Sequence, residues 1–145
     1  MIRTGIYAFL ITAAIFSVSC GKDDKKVDNI NIKQTDTLAN IPPDTVSVNE
    51  MERLMNEPGY IVLDVRTSEE HEAEQIGNTL NIDFESGEFA ENIQMLDKDK
   101  TYLIYCKTDI RSGLAKEIMD KMEFKTIVVK GGIEEWKSQN KPVIK

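Results

Sequence analysis

From about residue 44 onward, short apolar runs alternate with stretches whose apolar residues recur at helical spacing. Tyr60 to Leu63 and Thr101 to Tyr105 read as buried strands, and Thr79 to Ile82 and Thr126 to Val129 as two more. Ser47-Val48-Asn49-Glu50 has the spacing of a capping box, Met51, Leu54 and Met55 supply an apolar helical face, and Pro58-Gly59 ends that helix. Thr67-Ser68-Glu69-Glu70 repeats the hydroxyl-to-carboxylate spacing and predicts a polar helix through Gln75. Phe89, Ile93 and Leu96 fall at helical spacing before the charged turn Asp97 to Lys100. Leu114, Ala115, Ile118, Met119 and Met122 mark one face of a helix from about Arg111 to Met122. Gly131-Gly132 reads as a turn, and Ile133 to Ser138 as a last helix. Strands separated by helices imply crossover units, so the fold class is α/β: a central parallel sheet of about five strands with helices on both faces.

The first nineteen residues have a different pattern. Arg3 is a thin basic start, and Ile6 to Val18 is an apolar stretch too short to span a bilayer comfortably, so residues 1–19 read as a signal peptide. Ser19-Cys20-Gly21 resembles a bacterial lipobox, in which the cysteine is acylated and becomes the mature N-terminus. Ser17 departs from that pattern, which usually has Leu there. Gly21-Lys22-Asp23-Asp24-Lys25-Lys26 resembles the sorting signal that sends lipoproteins of one Gram-negative lineage to the outer face of the outer membrane. Residues 20–43 are polar, close on Ile41-Pro42-Pro43 and read as a lipidated tether, leaving 44–145 as the folded domain. By flexible-chain scaling the tether reaches roughly 25 to 30 Å. The expected location is a cell envelope, with a lipid on Cys20 as the membrane anchor.

Length and charge narrow the partners. The chain has 145 residues, 41% of them hydrophobic, enough for one ordinary domain with a real core. Its net charge of −7 comes without a basic stripe, so a nucleic-acid partner has no electrostatic support. Oligomeric state is not legible.

Cys106 ends the apolar run Thr101 to Tyr105, and Arg111 and Ser112 open the following helical pattern. In parallel sheets ligands gather at the carboxyl ends of strands. Free amides of the loop and first helical turn, with the guanidinium of Arg111, can stabilise an anion on sulfur there. If Cys20 carries lipid, Cys106 has no disulfide partner in its own chain. The competing reading is a buried cysteine acting as a small hydrophobe, and a nucleophile requires a thiol that reagents can reach. With one histidine and no cysteine pair, neither a metal site nor a cofactor is implied.

Cys106-Lys107-Thr108-Asp109-Ile110-Arg111-Ser112 resembles the active-site loop of the rhodanese family, whose usual form is Cys-Arg-x-Gly-x-Arg-Ser. Further landmarks follow in family order: Leu63-Asp64-Val65-Arg66 with Glu69-Glu70, then Ile76-Gly77-Asn78-Thr79-Leu80-Asn81-Ile82, then Val129 to Trp136. The resemblance implies a sulfurtransferase in which Cys106 takes sulfane sulfur from thiosulfate or a persulfide and passes it to a thiophilic acceptor or protein thiol. It also implies that the backbone N–H groups of Lys107, Thr108, Asp109, Ile110 and Arg111 hold the anionic sulfur, and that Ser112 belongs to the same substrate-binding loop. Arg111 is expected to brace the loop and neutralise charge rather than move protons. A persulfide carrier or binding module on the same fold is the alternative. The Cys-x4-Arg spacing argues against related phosphatases and arsenate reductases, which use Cys-x5-Arg.

Departures from the family pattern carry expectations of their own. Asp109 stands at the usual Gly, where positive φ would be needed, and its carboxylate would oppose Lys107 and Arg111 and repel thiosulfate. Gln75 replaces a usual His and is taken as structural. Asp64 and Arg66 read as a strand-end brace, His71 as a surface or packing residue, Trp136 as a core anchor, and Lys107 and Lys130 as solvated lysines.

Overall fold

In a computed structural model of the chain, residues 44–145 are described. The elements run β1 (Thr45–Val46), α1 (Val48–Leu54), β2 (Tyr60–Asp64), α2 (Ser68–Ala73), β3 (Leu80–Asn81), α3 (Phe89–Asn92) with a 3₁₀ turn Ile93–Met95, β4 (Thr101–Tyr105), α4 (Ile110–Lys121), β5 (Lys125–Val129) and α5 (Gly132–Ser138). The five strands form one parallel sheet in the order β1-β5-β4-β2-β3. The α/β class, the parallel sheet and helices on both faces are as expected from the hydrophobic pattern.

Side chains alternate across β4, and the two faces build separate cores. Leu103 and Tyr105 join Val48, Met51 and Leu54 of α1 and Ile133 and Trp136 of α5. Tyr102, Ile104 and Cys106 join Phe89, Ile93 and the α4 residues Ala115 and Met119 on the opposite face. Trp136 is 3% exposed and its indole N–H donates to the Pro142 carbonyl at 2.8 Å, which fixes the C-terminal return of the chain.

Several boundaries differ from the pattern-based ones. β1 has only two residues, Thr45 and Val46, too short to show periodicity; it is an edge strand held by Val128 N–H to the Asp44 carbonyl and Lys130 N–H to the Val46 carbonyl. At α1 the Ser47 hydroxyl accepts from Glu50 N–H, but the Glu50 carboxylate pairs with Arg53, so only half of the capping box forms. At α2 both halves are present, on Thr67 and Glu70. α2 stops at Ala73 because Gln75 turns away to exchange two backbone hydrogen bonds of 2.8 Å with Ile144. Leu114, expected in the core face of α4, is 45% exposed, since Ala115 and Met119 centre the buried stripe.

Candidate active site

The loop after β4 starts from Cys106. Alternation continues one residue beyond the strand, so the Cys106 side chain turns to the α4 face and is 1% exposed. This differs from a thiol open at the rim. The sulfur nevertheless has a polar neighbour: its S–H donates to Ser112 Oγ at 3.6 Å, and that buried hydroxyl donates to the Asp109 carbonyl at 3.0 Å. Lys107, Thr108, Asp109 and Ile110 above it are all exposed. Beside them a cleft of about 470 Å³ is lined by Arg66, Glu70, Lys107, Ile133 and Lys137 among others, though not by Cys106.

The backbone of the loop is polarised by its neighbours. Carbonyls of Cys106 and Lys107 accept from the Ile133 and Glu134 amides at 3.0 and 3.1 Å, in the first turn of α5. The Asp109 carbonyl accepts from Gly113 N–H and from Ser112. With these carbonyls engaged elsewhere, the consecutive amides of residues 107 to 112 have no acceptor among the described residues. Such a run of donors at a helix start is suited to an anion.

Gly131 and Gly132 make the α5 contact possible. Both adopt positive φ, +76° and +54°. A Cβ on Gly132 would lie 2.7 Å from the Thr108 carbonyl oxygen and 2.8 Å from that of Lys107, and closer still to that of Cys106. The turn reading of Gly131-Gly132 therefore understates Gly132, which already belongs to α5 and packs on the loop.

Arg111 is held from outside the loop. Its guanidinium donates to both carboxylate oxygens of Glu70, at 2.5 and 3.0 Å, and to Glu85 at 3.1 Å. The hydrogen bond to Arg111 outweighs partial burial and holds the Glu70 carboxyl down to about 2, and the same bond raises the Arg111 pKa further. Glu70 also accepts from Thr67 N–H, so one carboxylate closes the α2 cap and anchors the α4 arginine. Glu85 was not singled out from the sequence: nothing in an exposed loop carboxylate, 26 positions from Arg111, marks it.

Asp109 does not adopt positive φ. Its φ is −139°, so no left-handed strain attends the replacement of the family's glycine. The carboxylate accepts from Gly131 N–H at 2.8 Å, clipping the loop to the turn before α5.

Beneath the site lies a buried ionic network. Asp64 and Arg66 are 0% and 2% exposed. Arg66 donates to Asp64 through Nε, Nη2 and its backbone N–H, and to the Glu70 and Glu74 carbonyls at 3.2 and 2.7 Å. Tyr105 O–H donates to Asp64 Oδ2 at 2.7 Å, and burial followed by that carboxylate pushes the phenol far up. His71 Nδ1 lies 2.9 Å from the same oxygen, so this histidine is part of the network rather than a bare surface residue. Asn81, which the sequence marked only within a landmark, donates to the Asp64 and Arg66 carbonyls and ties β3 to the bend. Lys107 and Lys130 are exposed, and no group of three or more His, Cys, Asp or Glu gathers as a metal site among the described residues.

A parallel sheet with a cysteine loop of this form defines a class, and comparison with known proteins agrees. The model of the rhodanese-like domain matches residues 47–139, and the chain belongs to that family. A provisionally named sulfurtransferase of Bacillus subtilis is 32% identical over 91 residues, covering 63% of this chain and 86% of the relative. A probable molybdopterin-synthase adenylyltransferase of Porphyra purpurea is 38% identical over 88 residues, covering 61% of this chain; the match spans only 22% of that protein's length. Among solved structures, a rhodanese-related protein of Thermoplasma volcanium superposes with TM-score 0.64 at 28% identity, covering 70% of this chain and 98% of its own. The lipobox Cys20, the signal peptide and the tether lie outside the described residues.

Proposed function

We propose that the protein is a sulfurtransferase with Cys106 as nucleophile. The observation that carries this reading is the run of amides from 107 to 112, without acceptors among the described residues, starting next to a thiol at a strand's carboxyl end. In the first half-reaction the Cys106 thiolate attacks the outer sulfur of a sulfane donor. A Cys106 S–S bond forms, the donor's S–S bond breaks, and its electron pair leaves with sulfite or a thiolate. In the second, a thiophile such as cyanide or a thiol takes the outer sulfur and the Cys106 thiolate is restored. The loop amides would hold the charge on the terminal sulfur, each well-placed donor contributing a few kcal/mol. Ser112 has a single hydroxyl proton, so it can turn from the Asp109 carbonyl to a thiolate when the thiol loses its own. Arg111 acts by fixing the start of α4 against Glu70, which favours sulfur chemistry over a cradle for a tetrahedral oxyanion.

A second reading is a persulfide carrier that turns over little by itself, and the Asp109 carboxylate in the loop, at the family's usual Gly, favours it. Thiocyanate release from a sulfane donor and cyanide decides. Sustained turnover, lost in Cys106→Ser, supports the enzyme. Loading of one sulfur without turnover supports the carrier, and no loading from any donor rejects both.

We also propose that the domain is anchored in a bacterial envelope by lipid on Cys20. Labelled palmitate should enter the full chain and be lost in Cys20→Ala; label retained in that variant contradicts the assignment.

A further inference from the structure

The charges bonded to the site point to a choice among sulfane donors, an inference that rests on the sulfurtransferase reading above. Thiosulfate is a dianion, so a loop built to attract it would present uncompensated positive charge. This loop does not. Arg111 faces two carboxylates, Glu70 and Glu85, and its charge is more than matched. The loop's other cation, Lys107, is accompanied by Asp109. Lys130, which shares a cavity wall with Asp109, brings the set of three cations and three carboxylates only to neutrality. The adjoining cleft does not change the sign, because its further cations Arg66, Lys137 and Lys145 are matched by the carboxylates of Asp64, Glu74 and Glu134.

We propose that this rim selects donors carrying at most one negative charge, organic hydropersulfides foremost, over thiosulfate, and that Glu85 is a specificity-determining residue. Amide dipoles around Cys106 still accommodate a single charge on sulfur, but the rim supplies nothing for a second. The loading step is balanced: the Cys106 thiolate attacks the outer sulfur of R–S–SH, the Cys106 S–S bond forms as the donor's own S–S bond breaks, and R–S⁻ departs with that electron pair. The products are the Cys106 persulfide and a thiolate, with no external oxidant or reductant. Glu85 is suited to tuning this preference because its side chain is 58% exposed and holds Arg111 through one oxygen, whereas Glu70 supplies the two-oxygen anchor.

The test is single-turnover loading of the full chain, read by intact mass, with thiosulfate and with the hydropersulfide of 2-mercaptoethanol. In the unaltered protein the hydropersulfide should load faster. Glu85→Gln should raise the ratio of thiosulfate to hydropersulfide rates about 3- to 10-fold, the scale of removing one partly screened charge. Asp109→Asn, whose amide oxygen can still accept from Gly131 N–H, should raise the ratio in the same direction. If Glu85 only supports the loop, Glu85→Gln shifts both rates together and the ratio stays fixed, which overturns the proposal. Thiosulfate loading as fast as the hydropersulfide overturns it too, while leaving sulfur transfer intact. Loading from neither donor overturns the sulfurtransferase reading itself.

Discussion

Ser112 and Glu70 are the side chains through which single substitutions speak most directly to the site. Removing the Ser112 hydroxyl takes away the one side-chain partner of the Cys106 sulfur among the described residues, while Gly113 N–H still serves the Asp109 carbonyl. Ser112→Ala should slow sulfur loading about tenfold, as expected for one hydrogen bond to a charged group, and Ser112→Thr should restore most of the rate. Glu70 speaks to stability. Its folded pKa of about 2 lies below the ordinary 4.5, so its contribution is present above about pH 4.5 and disappears as the pH falls towards 2. The full shift corresponds to roughly 3 kcal/mol, and solvent screening of this partly exposed pair reduces it to about 1 to 2. Glu70→Gln should therefore cost that much in urea denaturation at neutral pH and approach the parent protein at the acid limit. An equal deficit at every pH would contradict the pairing.

At the scale of elements, the contact between α5 and the loop is the feature that positions the amides. Gly132→Ala places a methyl group against three carbonyls at a positive φ, so the loop must move or the first turn of α5 must unwind. Sulfur loading should fall at least tenfold, with a stability cost of about 1 to 3 kcal/mol; loading at the parent rate would show that the α5 amides do not set the loop. This element-level device was only partly legible beforehand. Cys106 and Arg111 announced themselves because a strand period gives way to a helical one between them. The role of Gly132 was hidden because sequence shows a pair of glycines as a turn, not which carbonyls they approach. Leu114 and Ile110, 45% and 75% exposed, show the converse: an apolar residue at helical spacing need not lie in the buried stripe. Glu85 could not be read at all, since its partner is set by how the β3–α3 connection passes α4.

Across the whole domain, the same alternation that made the sheet legible also buried Cys106, and the Asp64 network joins the ends of β2 and β4 through Tyr105. Asp64→Asn would leave Arg66 as a buried cation without its counter-ion, and a loss of about 3 to 5 kcal/mol in urea denaturation is expected. A loss below about 1 kcal/mol would mean that water reaches the pair and that the network is not what holds β2 to α2. The fold tolerates such a buried pair because Tyr105, His71 and the Glu70 and Glu74 carbonyls complete its hydrogen bonds. The central claim, however, concerns one atom under an exposed loop: whether Cys106 accepts sulfur while the domain is folded. The most direct measurement is intact mass of the native protein after brief exposure to a hydropersulfide, beside Cys106→Ser and beside the urea-unfolded chain. The expected result is a gain of one sulfur atom in the native protein, removed by excess thiol and absent from the serine variant. A native chain that gains nothing, while its unfolded form reacts, would mark Cys106 as an ordinary core residue.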